Sequence, residues 1–189
     1  MSDNLAGAGL SLVDYRAEDA GAISKFLRKS WHDTYLSDEH GITSEMIDDI
    51  FDRLDSDEAQ QKQETEMQEW LVKPDEFYSK NIRDSVGKVA GLINCQKRES
   101  DQEIHSFYID KPLQGSGIAR ELFQQLLEWF DDDKPIVLWA ADYNQRARTF
   151  YQRLGFEVVP GQSKESGELP QMTIIKMKRK PDKEVKHEI

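Results

Sequence analysis

The chain has 189 residues, of which 38% are hydrophobic, and its 36 acidic and 25 basic side chains give a formal net charge of −11. This charge argues against nucleic-acid binding, and no apolar run approaches the ~20 residues that cross a bilayer. The single cysteine, Cys95, excludes an internal disulfide and is expected to be a buried thiol.

The length and composition predict one domain over residues 1–180, followed by a charged tail at 181–189 that is expected to fray. The amino-terminal stretch MSDNLAGAG lacks the basic and apolar parts of a signal peptide. Together with the single cysteine, it predicts a cytoplasmic protein. The sequence leaves open whether the protein is a monomer or a homodimer.

The first third of the chain is predicted to contain one strand followed by helices. Residues 10–16 have the composition of a strand, and residues 20–31 carry apolar side chains at helical spacing. Thr43 or Ser44 is expected to cap a second helix, and residues 55–71 are predicted to form a third, strongly charged helix. The expected buried anchors of that helix are Met67, Trp70 and Leu71.

The remainder alternates strands with two helices, a pattern that predicts a mixed α/β fold. Strands are expected at residues 77–83, 86–97, 103–109, 136–141, 156–160 and 172–179. Residues 118–130 place apolar side chains on one face of a helix. Asn144 is expected to cap the second helix, and Gly155 is expected to end it.

A glycine-containing loop at residues 114–119 (QGSGIA) joins a predicted strand to a predicted helix. The first N–H groups of a helix lack internal partners and carry partial positive charge, so this arrangement predicts an anion site. Gly115 and Gly117 let a phosphate approach the backbone, and Gln114 and Arg120 add side-chain donors. The loop lacks the lysine of a Walker P-loop, and Arg120 stands where a dinucleotide fingerprint has Gly or Ala.

Two motifs resemble those of the GCN5-related N-acetyltransferases. Gln114-x-x-Gly117-x-Ala119 is similar to their pyrophosphate loop, Q/R-x-x-G-x-G/A. The second motif, N-x-x-A-x-x-F-Y-x-x-x-G-F, is matched position for position by Asn144-x-x-Ala147-x-x-Phe150-Tyr151-x-x-Leu154-Gly155-Phe156. Two independent motifs occur in the expected order, so the chain is identified as a member of this superfamily.

The resemblance implies a central, mostly antiparallel sheet flanked by helices, whose fourth and fifth strands splay apart to hold acetyl-CoA. Those strands are residues 103–109 and 136–141, and the N–H of Ile109 would polarise the thioester carbonyl. The implied coenzyme-binding residues are Phe107, Tyr108, Ile109, Gln114, Gly115, Ser116, Gly117, Ile118, Ala119, Arg120, Asn144 and Tyr151. No metal is expected, because His32, His40, His105 and His187 show no ligand spacing.

The resemblance also suggests how protons move. Tyr151 is predicted to donate to the coenzyme A thiolate, with a core aromatic as the alternative role. Glu103 is predicted to be the base, with an ordinary strand-end charge or a water chain as alternatives. His105 is a competing base that is better explained as a residue bonded within the sheet. Strand alternation is expected to place Glu103, His105 and Phe107 on one face.

The acceptor is predicted to be a primary amine of a small molecule, with polyamine-like cations among the candidates. Trp31 and Tyr35 could form an aromatic wall for such a cation, although this spacing is also typical of a helix core. Asp33 and its neighbours Asp38 and Glu39 could add negative charge, although a solvated loop explains them equally well. The alternatives are a protein N-terminal or lysine acetyltransferase and, from another class, a non-catalytic acyl-CoA-binding sensor.

Overall fold

The computed structural model describes residues 3–181, so His187 and all but the first residue of the predicted tail lie outside the described part. The helices are α1 (Asp3–Gly7), α2 (Ala20–Tyr35), α3 (Ser44–Leu54), α4 (Asp57–Leu71), α5 (Ile118–Trp129) and α6 (Gln145–Arg153). The strands are β1 (Ser11–Asp14), β2 (Phe77–Arg83), β3 (Val89–Lys97), β4 (Gln102–Ile109), β5 (Ile136–Ala141), β6 (Phe156–Glu165) and β7 (Thr173–Arg179). The short helix α1 was not predicted.

The seven strands form one mixed sheet in the order β1-β2-β3-β4-β5-β7-β6. Neighbouring strands are antiparallel except β4 and β5, which are parallel. This parallel pair is joined only at Gln102, Glu103 and Ile104 of β4, opposite Ile136, Val137 and Leu138 of β5. Beyond these residues the two strands part, which confirms the predicted splay and the α/β fold.

A bulge in β4 marks the point where the strands part. The antiparallel ladder pairs Cys95 with Ile104 and Asn94 with Ser106, so His105 is an extra residue that has no paired residue on β3. A bulge of this kind bends its strand and interrupts the ladder. The bend turns the second half of β4 away from β5 and opens a gap in the middle of the sheet.

The same bulge overturns the predicted alternation along β4. Ile104 and Phe107 contribute to one core cluster, although a regular strand would place them on opposite faces. Glu103 precedes Ile104 and therefore lies on the face opposite Phe107. The expectation that Glu103, His105 and Phe107 share one face was wrong, because the extra residue reverses the order of faces after it.

Helices cover both faces of the sheet. One face packs against α1, α5 and α6, and the buried apolar side chains of α5 are Ile118, Leu122, Phe123 and Leu126. Each such side chain stabilises the fold by about 1.5–3 kcal/mol through removal of apolar surface from water. The opposite face packs against α2 and the charged helix α4. Cys95 is buried as predicted, and burial raises the pKa of its thiol.

The predicted anchors of α4 are less buried than expected. Leu71 is 40% exposed, and no residue of this helix is fully buried. Trp70 stacks on Phe77 of β2 at 5.5 Å between ring centroids, and Met67 is partly buried against the sheet. The prediction was wrong for Leu71, because it lies at the helix end where the chain turns into solvent.

Gly91 allows β3 to lie close to β4 beside the gap. A Cβ atom at this position would lie 2.8 Å from the backbone oxygen of Tyr108 and would also clash with Ile82. Only glycine fits without displacing one of these neighbours. Between residues 3 and 181, no helix is long and apolar enough to cross a membrane.

Candidate active site

A cavity of about 430 Å³ occupies the gap between the parted halves of β4 and β5. From β4 it is lined by Ile104, His105, Phe107, Tyr108 and Ile109, and from β5 by Leu138, Trp139, Ala140 and Ala141. From α6 and its cap it is lined by Asn144, Arg146, Ala147, Phe150 and Tyr151. Helix α2 adds Ser30, Asp33, Thr34 and Tyr35, the connection before α5 adds Lys111, Gln114 and Gly115, and the first turn of α5 adds Ala119.

The backbone of β4 turns hydrogen-bonding groups towards this gap. The N–H of Asp110 donates to the carbonyl of Ala90 at 2.9 Å, which makes these two residues a hydrogen-bonded pair. In an antiparallel ladder the next pair, Ile109 with Gly91, is not hydrogen-bonded. The N–H and C=O of Ile109 therefore point away from β3 and into the gap, and the same alternation applies to Phe107.

The loop before α5 presents free backbone N–H groups at one end of the cavity. Gly115 and Gly117 have φ angles of 86° and 91°, a backbone conformation that favours glycine. In the described part of the chain, no acceptor is found for the N–H groups of Gly115, Gly117 and Ala119. The Gln114 side chain donates to the carbonyl of Ile109 at 2.8 Å and so ties the loop to β4. The arrangement suits a bound phosphate.

Asn144 begins α6 at the same end of the cavity. Its side-chain oxygen accepts a hydrogen bond from the N–H of Ala147 at 3.0 Å, which confirms the predicted helix cap. Gly155 follows the helix with a φ angle of 85°, also as predicted. Because β4 and β5 are parallel, the loops that follow them lie at the same edge of the sheet, and both helices begin beside the cavity.

Tyr151 lies deep in the cavity and is 9% exposed. Its ring meets Phe150 and Phe156 edge-on, with centroids 5.2 Å and 5.5 Å away. Burial raises the pKa of its phenol well above the ordinary value of 10.0, and the nearby Tyr108 and Cys95 add to this effect. The phenol therefore keeps its proton throughout the neutral range and can act as a hydrogen-bond donor.

The two aromatic residues predicted for the acceptor have different positions. Tyr35 lines the cavity, and its hydroxyl lies 3.0 Å from that of Tyr108. Trp31 does not line the cavity; it packs edge-on against Tyr35 and Phe51, as expected of a core residue. Asp33 lines the cavity, and ion pairs with two lysines compensate its negative charge.

Glu103 lies beside the cavity rather than in its wall. Glu103 as a whole is 9% exposed, and its carboxylate forms an ion pair with Arg98. One carboxylate oxygen is 3.9 Å from Nδ1 of His105, and His105 does line the cavity. Burial lowers the pKa of His105, with the charge of Glu103 opposing that effect. Neutral imidazole is therefore favoured, and a neutral imidazole can accept a proton.

Some predicted residues lie outside the cavity wall, and some wall residues were missed. Ser116, Gly117, Ile118 and Arg120 belong to the loop and helix start but do not line the cavity. Arg146 was missed, although it shares a helical face with Phe150 and Tyr151 and could have been found from that spacing. Within residues 3–181, no group of three or more His, Cys, Asp or Glu side chains is arranged to hold a metal ion.

Comparisons with known proteins agree with this architecture. The PaiA N-acetyltransferase from Thermoplasma acidophilum, solved in complex with coenzyme A, superposes with a TM-score of 0.67 at 17% identity, over 90% of this chain and 98% of that one. A GNAT acetyltransferase from Streptococcus pneumoniae superposes with a TM-score of 0.61 at 18% identity, over 90% of this chain and 98% of that one. A chimera of Vibrio cholerae spermidine N-acetyltransferase SpeG and hSSAT superposes with a TM-score of 0.57 at 17% identity, over 94% of this chain and 98% of that one.

No curated protein matches the sequence. The family model described as "Acetyltransferase (GNAT) family" matches residues 44–156, which is more than half of the chain. The match covers the cavity-lining parts of β4, β5 and α6 together with the loop between β4 and α5. The chain therefore belongs to the acetyltransferase (GNAT) family, and it is an N-acetyltransferase.

Proposed function

We propose that this enzyme transfers an acetyl group from acetyl-CoA to a primary amine of a small molecule, by direct attack of the amine on the thioester. The observation that carries the proposal is the cavity between β4 and β5. A backbone N–H of Ile109 points into it, the phenol of Tyr151 lies within it, and free N–H groups of the loop lie at its mouth.

The chain's groups fit the cosubstrate part by part. The N–H groups of Gly115, Gly117 and Ala119 would receive the diphosphate, with residues 114–120 around it. The turned-out backbone of Phe107 and Ile109 would pair with the amide groups of the pantetheine arm, as an added strand does, with Asn144 beside it. Acetyl-CoA supplies an activated acetyl group, and the N–H of Ile109 would stabilise the negative charge that develops on its carbonyl oxygen.

Tyr151 would act at the sulfur. A phenol with a raised pKa is a weak acid, so complete proton transfer to a thiolate is unfavourable. The same shift ensures that the phenol is protonated at every working pH. We infer that Tyr151 donates a charge-assisted hydrogen bond to the leaving thiolate.

The attacking amine must first lose a proton, and two routes remain open. Glu103 would act as the base through His105, which lies between its carboxylate and the cavity. Water molecules in the cavity would provide the other route. The neutral state favoured for His105 supports the first route, because imidazole can take the proton and the adjacent carboxylate stabilises the resulting cation.

A small amine is favoured over a peptide by the enclosure of the acceptor side. Tyr35, Thr34 and Ser30 of α2 line the cavity and form a polar and aromatic part of its wall. Spermidine N-acetyltransferases are among the similar folds, which keeps polyamines in the set of acceptors to be tested. The ion pairs of Asp33 with lysines make this residue a poor binding group for an acceptor cation.

Calorimetric titration with acetyl-CoA tests the proposal first, followed by a thiol-release screen of simple amines, polyamines, amino acids and basic peptides. Binding with thiol release for small amines is the expected result. Release with peptides alone would establish the protein acetyltransferase instead. Binding without release by any acceptor would favour the sensor, and absence of binding would refute the cosubstrate assignment.

A further inference from the structure

Three tyrosine side chains from three different elements contribute to the wall of the cavity. Tyr35 extends from α2, Tyr108 from β4 and Tyr151 from α6, and all three line the cavity. The hydroxyls of Tyr35 and Tyr108 are 3.0 Å apart. Tyr108 belongs to the core on the α2 face of the sheet, whereas Tyr151 belongs to the core on the α5 and α6 face. The phenols thus approach the gap from both faces.

Electrostatic coupling among the phenols supports this proximity. The pKa of Tyr35 is raised chiefly by burial, and Tyr108 and Tyr151 both contribute to the shift. The pKa of Tyr151 is likewise raised by burial and then by Tyr108. Because a phenolate would be destabilised at each position, all three groups remain protonated donors.

The hydrogen bond between Tyr35 and Tyr108 leaves one of their two hydroxyl protons unused. A phenol carries one proton and two lone pairs, so a bond between two phenols uses one of their two protons, whichever group donates. The indole of Trp31 interacts with the Tyr108 hydroxyl as a donor and uses a lone pair, not a proton. The remaining proton belongs to a hydroxyl that lines the cavity and is available to a ligand there.

We propose that the Tyr35–Tyr108 pair donates a second hydrogen bond to the coenzyme sulfur, beside the bond from Tyr151. The inference rests on the proposed function, because that function places the sulfur beside Tyr151. In the transfer, the amine nitrogen bonds to the acetyl carbon and gives up one proton to His105 or to water. The carbon–sulfur bond breaks, and its electron pair stays on the sulfur. The phenols keep their protons and stabilise the thiolate, which takes a proton from solvent on release.

The test measures the thiol pKa of bound coenzyme A and needs no acceptor. Thiolate absorbance would be followed against pH, with protein in excess, for the wild type and for the double variant Tyr35→Phe/Tyr108→Phe. Loss of a hydrogen bond to the thiolate is expected to raise the thiol pKa by about one pH unit, a tenfold change in the ionisation constant. The two single variants would identify the hydroxyl that donates directly.

A matched control is the double variant Tyr15→Phe/Tyr78→Phe, which removes one buried and one partly buried phenol that do not line the cavity. It is expected to leave the thiol pKa unchanged. The other groups that line the cavity and carry or can carry charge are Asp33, His105, Lys111 and Arg146, and they are present in every variant. Their influence on the thiol therefore cancels in the comparison.

Each outcome bears on one of the two proposals. If the wild type does not bind coenzyme A, the proposed function fails. If coenzyme A binds and only Tyr151→Phe raises the thiol pKa, the inference about the pair is overturned. It is also overturned if Tyr35→Phe/Tyr108→Phe loses coenzyme affinity at a pH where the bound thiol is protonated, because the hydroxyls would then support the cavity's shape instead of the thiolate.

Discussion

Tyr151 combines a core aromatic ring with a hydroxyl in the cavity, and substitution by phenylalanine separates the two. Tyr151→Phe keeps the ring contacts with Phe150 and Phe156, so stability and coenzyme affinity should change little. Turnover should fall about 10²-fold, because the leaving thiolate loses its donor. Thiol-release kinetics and calorimetry on one preparation measure both. Equal losses of affinity and turnover would show that the hydroxyl is structural.

The loop assignment rests on Gly117, whose φ angle of 91° and position at the start of α5 suit a bound diphosphate. Gly117→Glu should weaken coenzyme binding by at least about tenfold, because it adds bulk and negative charge where the phosphates would lie. Gly161→Glu is the matched control. Gly161 also has a positive φ angle, of 71°, but it lies on β6 outside the cavity. Similar losses of affinity in both variants would contradict the assignment.

At the scale of elements, Gly91 controls how closely β3 approaches β4 beside the gap. Gly91→Ala should destabilise the fold by about 1–3 kcal/mol, because the new methyl group must displace Ile82 or the Tyr108 backbone. Gly21→Ala is a control of opposite sign. Gly21 lies in α2 with open space around its Cα, so alanine there should stabilise by about 0.5–1 kcal/mol. Urea unfolding measures both changes, and a neutral Gly91→Ala would refute the close approach.

Sequence patterns predicted the elements well where an apolar run is also buried in the fold and where a capping residue marks the start of a helix. The boundaries of β5 follow from an unbroken apolar run. The caps of α3 and α6 follow from Thr43 and Asn144. The bulge at His105 could not be predicted, because a single extra residue leaves the composition of a strand unchanged. Strand β6 was predicted to end at Pro160, yet it continues to Glu165 through an irregular stretch beside Gly161.

The candidate site was predictable only in part. The motifs led to the loop, Asn144 and Tyr151, since these residues are close in sequence and have fixed spacing. The contributions of Ser30, Thr34 and Lys111 depend on how α2 and the connection after β4 fold over the gap, which no local pattern encodes. The position of Glu103 behind His105 likewise follows from the bulge.

At the scale of the whole molecule, buried phenols should make the fold sensitive to alkali. Burial raises the pKa of Tyr15, which is 3% exposed, from 10.0 to about 12. A raised pKa means that the folded state holds the proton more tightly, so the stabilisation is complete below pH 10 and is lost as the pH rises towards 12. The free energy of unfolding should fall by about 3 kcal/mol over this range from Tyr15 alone.

Urea unfolding at about pH 9 and about pH 11.5 measures this loss. In Tyr15→Phe the decline should be smaller than in the wild type, because the substituted ring cannot ionise. An equal decline in the two proteins would show that Tyr15 ionises as easily in the folded state as in the unfolded state.

The gap between β4 and β5 has a consequence for amide hydrogen exchange. The N–H groups of Phe107 and Ile109 belong to a central strand, yet they face an open cavity instead of a neighbouring strand. They should therefore exchange with solvent much faster than typical central-strand amides. Saturation with the cosubstrate should slow both, and at 100 times its dissociation constant it should raise the free energy of unfolding by about 2.7 kcal/mol. In this respect the bound molecule serves as the missing part of the sheet.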